Sequence, residues 1–128
     1  MRLLLDTHLL LWTMASSRRL VPTARNLIED PDNDVYFSAA SLWEISIKSG
    51  LRRKDFTVDP ELLQQALADS GFIELPVTGA HAVGVANLPA IHRDPFDRIL
   101  IAQCLHEPLI LVTNDTVLAG YGAVVRLV

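Results

Sequence analysis

The chain is 128 residues long, 50% apolar, with 11 basic against 15 acidic side chains and a formal net charge of −4 at pH 7. At about 150 residues per domain there is no room for a second fold, and the apolar half excludes a disordered tail. The acidic balance excludes a polycation that wraps nucleic acid by bulk charge, so any such contact has to be local, and residues 1–128 are expected to form one domain.

The run Arg2–Leu5, closed by Asp6, fits a strand buried on both faces better than the start of a secretory signal, whose apolar stretch Asp6 would interrupt. Leu9, Leu10, Trp12 and Met14 then follow as a helical segment. Pro22 suits a first helical position, for a helix that runs to Asp30 and stops before Pro31. Val35–Phe37 reads as a short strand, and Ser38 can cap a helix through Lys48 with Gly50 at its end. Asp59-Pro60-Glu61 opens a helix ending at Gly71, and Phe72–Leu75 reads as a strand. Thr78 opens a further helical stretch, and Asp94-Pro95 opens the last long one, toward His106. Leu109–Val112 is a second strongly apolar strand, Thr116–Ala119 a short helix, and Val124–Val128 a final strand. Strands alternating with helices predict a parallel α/β sheet with helices on both faces.

The longest stretch free of formal charge, Leu75 to His92, is interrupted by Pro76, Gly79, Gly84 and Pro89, which makes it a poor membrane span. Cys104 is the only cysteine and cannot form an internal disulfide, so the expected setting is the reducing cytoplasm.

Four acids stand in apolar or capping contexts: Asp6, Glu44, Asp97 and Asp115. Taken singly, each has a plain structural explanation. Asp6, Asp94 and Asp115 can cap the helices that follow them, Asp97 can sit in a first turn favoured by the helix dipole, and Glu44 can pair with Lys48 on an exposed helix edge. Taken together they are harder to dismiss. Ligands of open parallel sheets bind at the carboxyl ends of strands, where Asp6 and Asp115 are both placed, and crowded carboxylates need a proton or a cation between them. Mg2+ or Mn2+, which prefer oxygen ligands and complete their shells with water and phosphate, answer that need.

The segments Leu4-Leu5-Asp6-Thr7-His8, Ser41-Leu42-Trp43-Glu44-Ile45, His92-Arg93-Asp94-Pro95-Phe96-Asp97-Arg98 and Thr113-Asn114-Asp115 resemble, in order and spacing, the motifs of PIN-domain proteins. The similarity is greatest to the VapC-type ribonuclease toxins of bacterial toxin–antitoxin pairs. It implies a PIN-like, Rossmann-like α/β/α sandwich with a mostly parallel central sheet, and an endoribonuclease dependent on Mg2+ or Mn2+. It also implies that Asp6 and Asp97 lie closest to the metal, that Glu44 orients or deprotonates the attacking water, and that Asp115 completes the acidic pocket through water. Thr113 would position a carboxylate, and Asp94, whose Asp-Pro context suits a cap, ranks below Asp97. Water would attack the phosphodiester in line, leaving a 5′-phosphate and a 3′-hydroxyl. A cognate VapB-type antitoxin, a homodimer, and contact with operator DNA only through the antitoxin are implied as well.

Other signals point elsewhere or nowhere. Asp30, Asp32 and Asp34 alternate like a calcium loop, but Val35 and Ser41 occupy the positions that need Gly and Glu. His8, His81, His92 and His106 show no zinc spacing with one another or with Cys104; His8 and His92 flank acidic motifs, with a positioning role as the lesser reading. Trp12 and Trp43 read as core or interface rather than as platforms for bases. Arg52-Arg53-Lys54 is a candidate phosphate contact, and Arg93 and Arg98, beside the proposed ligands, are better ones. A phospho-acceptor receiver lacks its paired acids and late lysine here, and a haloacid dehalogenase phosphatase lacks its second acid, since position eight is His8. The competing reading of a different class is a PIN-like module that binds RNA or a partner without cleaving.

Overall fold

The computed structural model describes residues 1–51 and 58–128. Leu3, Leu4 and Leu5 are all fully buried, which requires a strand covered on both faces. Their alternation divides the core in two. Leu3 and Leu5 join Leu9, Leu10, Phe37, Ile45 and Val112 on one face, while Leu4 joins Leu100, Ile101, Cys104 and Leu111 on the other.

That strand, β1 (Arg2–Leu5), lies at the centre of a sheet with β2 (Asp34–Ser38), β3 (Ile73–Leu75), β4 (Ile110–Thr113) and β5 (Val125–Leu127). The order is β3-β2-β1-β4-β5, and every pairing is parallel, so the expectation of a mostly parallel sheet sharpens to an all-parallel one. One face carries α1 (Thr7–Met14), α2 (Pro22–Glu29), α3 (Ala39–Gly50) and α4 (Pro60–Asp69), and α6 (Pro95–His106) covers the other, with the short α5 (Gly79–Gly84) packed on it.

The capping residues set these helix starts. Asp6 accepts from the Leu9 amide at 2.8 Å, Ser38 from Ala40 at 3.0 Å, Asp59 from Glu61 at 3.0 Å and Asp94 from Phe96 at 2.8 Å. The ends follow less closely. α3 continues through Gly50, α4 stops at Asp69 with Gly71 beyond it at φ +82°, and the helix expected over 116–119 is a 3-10 turn at Leu118–Tyr121. In that last case the Asp115 carboxylate already holds the Val117 amide, which shapes a tight turn in place of a helix start. Among the described residues no helix is long and apolar enough to cross a membrane.

Candidate active site

β1 and β4 are central neighbours, with β2 and β3 to one side and β5 to the other. Such a reversal of strand order leaves a crevice at the carboxyl ends. Asp6 follows β1 directly, Thr113 ends β4, and Asp115 lies two residues on. α3 and α6 pack together and bring Glu44 and the first turn of α6 to the same end.

Asp6 is 3% exposed, with one carboxylate oxygen capping α1 and the other accepting from the Thr113 hydroxyl. That hydroxyl in turn accepts the Asp115 amide at 3.0 Å, so one buried threonine ties the exits of β1 and β4 together. Burial raises the Asp6 pKa, against the lowering effect of its hydrogen bonds from Thr113 and Leu9 and of His8. The Thr7 hydroxyl donates to Ser41 at 2.9 Å in the buried seam between α1 and α3.

Glu44 does not lie on the exposed edge that a plain surface ion pair would occupy. It does pair with Lys48 at 2.7 Å, but it is only 4% exposed and its charge reaches Asp97. The Asp97 carboxyl is pushed up to about 7, first by burial, then by the Asp94 charge, with Asp6 and Glu44 adding and His92 opposing. At Asp115 partial burial works against ionisation but is outweighed by the His92 hydrogen bond and the Val117 amide, and its pKa is lowered.

The topology and the carboxylates together have a counterpart among known families: the family model for the PIN domain matches residues 3–123. The chain belongs to the PIN-domain family. No curated relative matches it significantly. The solved structures similar in fold include three that match nearly the whole chain. The three are VapBC2 from Rickettsia felis bound to promoter DNA (16% identity, TM-score 0.70, covering 100% of this chain and 98% of that one), a toxin-antitoxin complex from Klebsiella pneumoniae (19%, 0.66, 96% and 94%), and VapBC-5 from Mycobacterium tuberculosis (20%, 0.63, 99% and 97%). At these identities the likeness is one of fold.

Within this PIN domain the site residues are not equally close. Among the described residues, ligand atoms of His92, Asp97 and Asp115 all lie within 4.8 Å of one another, while Asp6 and Glu44 stand outside that group and act on it through their charge. The oxygen-rich donor set fits Mg2+ or Mn2+, and a carboxyl held near 7 by burial and then by its acidic neighbours is one that a cation would ionise. Asp94 is engaged as the α6 cap.

The Arg98 guanidinium donates to the carbonyls of Val85 and Pro89 at 3.2 Å and of His92 at 3.3 Å, and to Tyr121 at 3.4 Å, contacts that hold the loop before α6. Arg93 is exposed, and Arg52 and Arg53 lie outside the described residues.

Two further residues shape the site: Tyr121, and His92, for which positioning was the lesser reading of the sequence. Tyr121, which that reading did not single out, accepts the His92 amide at 3.1 Å and donates to the Pro89 carbonyl at 3.2 Å; nothing in the sequence marks it. His92 bridges Asp97 and Asp115, and its signal was its position two residues before the cap Asp94. Beside the site, Trp43 is 63% exposed and meets Phe96 edge-on at 5.2 Å, lining an apolar cleft of about 550 Å3 next to Glu44 and Asp97 in the chain.

Proposed function

We propose that this PIN domain, spanning residues 1–128, is a cytoplasmic VapC-type endoribonuclease toxin that cuts RNA with Mg2+ or Mn2+ and inhibits translation. The observation that carries the reading is the gathering of Asp97 and Asp115 ligand atoms within 4.8 Å at the switch point of the sheet, within reach of the charges of Asp6 and Glu44. Asp6 and Asp97 would hold the ion, with Asp115 completing the pocket through water. The ion, when bound, offsets charge on the phosphoryl oxygens and lowers the pKa of water.

The chain's own residues do the rest. Thr113 orients Asp6 and the Asp115 amide. Glu44, buried and able to accept a proton, takes one from the attacking water as its oxygen bonds to phosphorus. The P–O3′ bond breaks, leaving a 5′-phosphate, and the departing oxygen takes a proton from solvent water to become a 3′-hydroxyl. Exposed Arg93 contacts the RNA backbone, with Arg52 and Arg53 as further candidates.

The similar structures described above belong to VapBC or other toxin-antitoxin systems, one of them bound to promoter DNA, which supports a VapB-type antitoxin as partner and operator contact through it. The apolar cleft beside Trp43 offers surface for a homodimer or antitoxin contact. A second reading, a binding module that does not cleave, draws on the Lys48 ammonium that already pairs one Glu44 oxygen.

Incubating purified protein with end-labelled RNA separates the two. Cleavage is expected with Mg2+ and is lost in EDTA and in Asp6→Asn and Asp97→Asn, both folded. Full activity in either variant or in EDTA overturns the metal-dependent site, and RNA binding without cleavage in Mg2+ overturns the nuclease reading and favours the module.

A further inference from the structure

His92 lies in the loop that enters α6, and both of its ring nitrogens are committed. Nδ1 accepts the Asp94 amide at 3.0 Å and so carries no proton. The proton is on Nε2, which donates to Asp115 at 2.9 Å with an Asp97 oxygen 3.4 Å away. A nitrogen that donates a proton has no lone pair for a cation, so the close grouping of His92, Asp97 and Asp115 does not make His92 a ligand. The backbone around the ring is fixed too: the His92 amide donates to Tyr121 at 3.1 Å and its carbonyl accepts from Arg98 at 3.3 Å.

We infer that His92 is a positioning residue, an imidazole locked in its Nε2–H form that fixes the separation of the Asp97 and Asp115 carboxylates before a cation arrives. Without that N–H, two carboxylates from distant elements repel and move apart, and a cation has to gather them at its own expense. The inference rests on the metal-site reading above.

The opposite end of α6 shows a second imidazole with both nitrogens engaged but with one carboxylate only. There His81 accepts the Thr78 amide on Nδ1 at 3.0 Å and its Nε2 meets Glu107 at 2.6 Å. The result is a capping box that starts α5, and the neighbouring His106 and Glu107 gain no metal ligand from it, because both nitrogens of His81 are likewise occupied. What distinguishes His92 is that its N–H faces acids from two elements, α6 and the exit of β4.

Two substitutions separate the two nitrogens. His92→Asn retains an acceptor for the Asp94 amide but has no donor that reaches Asp115, whereas His92→Gln retains a donor at the ε position. Mn2+ binding to the metal-free proteins is read by titration calorimetry or by the spin resonance of free Mn2+, with melting temperature in EDTA as the folding control. The Asn variant is expected to bind Mn2+ about 10–100-fold more weakly, with Gln within about threefold of the parent. Long-range 1H–15N spectra of the metal-free parent are expected to place the His92 proton on Nε2, which tests the inference even if the Asn variant does not fold.

Parental Mn2+ affinity in a folded Asn variant, or a proton on Nδ1, overturns the inference and leaves the nuclease reading standing. A parent protein that binds no Mn2+ overturns both.

Discussion

Asp97 carries its carboxyl near pH 7 because burial and three other acids resist its charge, and this sets a pH dependence with a definite sign. In the metal-free fold Asp97 binds its proton more tightly than in the unfolded chain, whose value is near 3.8. Stability therefore falls as pH rises from about 4 through about 7, by at most roughly 4 kcal/mol. Asp6, also raised, acts in the same direction. Asp115, lowered, contributes stability that is present above the unfolded value and lost only as pH falls below it. Melting in EDTA is expected to occur at lower temperature at pH 8 than at pH 5, with Asp97→Asn flattening the difference. With Asp97 as the proposed ligand, cleavage is expected to rise through pH 7, with its midpoint moving lower as Mn2+ is increased. A pH-independent melting temperature in the parent protein refutes the assignment.

At the scale of elements, α6 carries much of the site's geometry on its first turn: Asp94 caps it, Pro95 fixes the entry, and Asp97 follows. Asp94→Ala removes the acceptor for the Phe96 amide and is expected to cost about 1 kcal/mol in chemical denaturation. It also removes the charge that ranks second in raising Asp97, so the pH midpoint of cleavage should move down; an unmoved midpoint counts against that electrostatic coupling. Such caps were legible in the sequence because an acid or hydroxyl two or three residues before an amide is a local pattern, as at Asp6, Ser38, Asp59 and Asp94. Helix ends were less so, since α3 passes through Gly50 where the glycine suggested a stop. The burial of Glu44 and the inward turn of Arg98 were not legible: both depend on which elements face them, and sequence spacing does not encode that. The acidic residues were readable as a set, but not that Asp97 and Asp115 share an imidazole while Asp6 and Glu44 stand back.

For the molecule as a whole, folding and metal binding are one equilibrium if the site is as proposed, since its carboxylates come from β1, α3, α6 and the exit of β4. A cation that binds only the folded state at 100 times its Kd adds about 2.7 kcal/mol, a rise on the order of 10 °C for a chain this size. Thermal melts in Mn2+ are expected to show that rise in the parent and lose most of it in Asp97→Asn; equal shifts in both would place the bound ion elsewhere. The net charge of −4 is thus a poor guide to what the surface binds, because part of the acidity is gathered in one crevice.

The bond between Thr113 and Asp6 spans 107 positions of the chain. Synthesis runs from the amino end, so β1 waits for the neighbour that completes the crevice until β4 has been made. At 5–20 residues per second the first 110 residues take roughly 5–20 s, during which a growing chain holds Asp6, Glu44 and then Asp97 without the strand that joins them. A chain that ends before Ile110 has neither Thr113 nor Asp115, so the proposed site is not complete on an unfinished product.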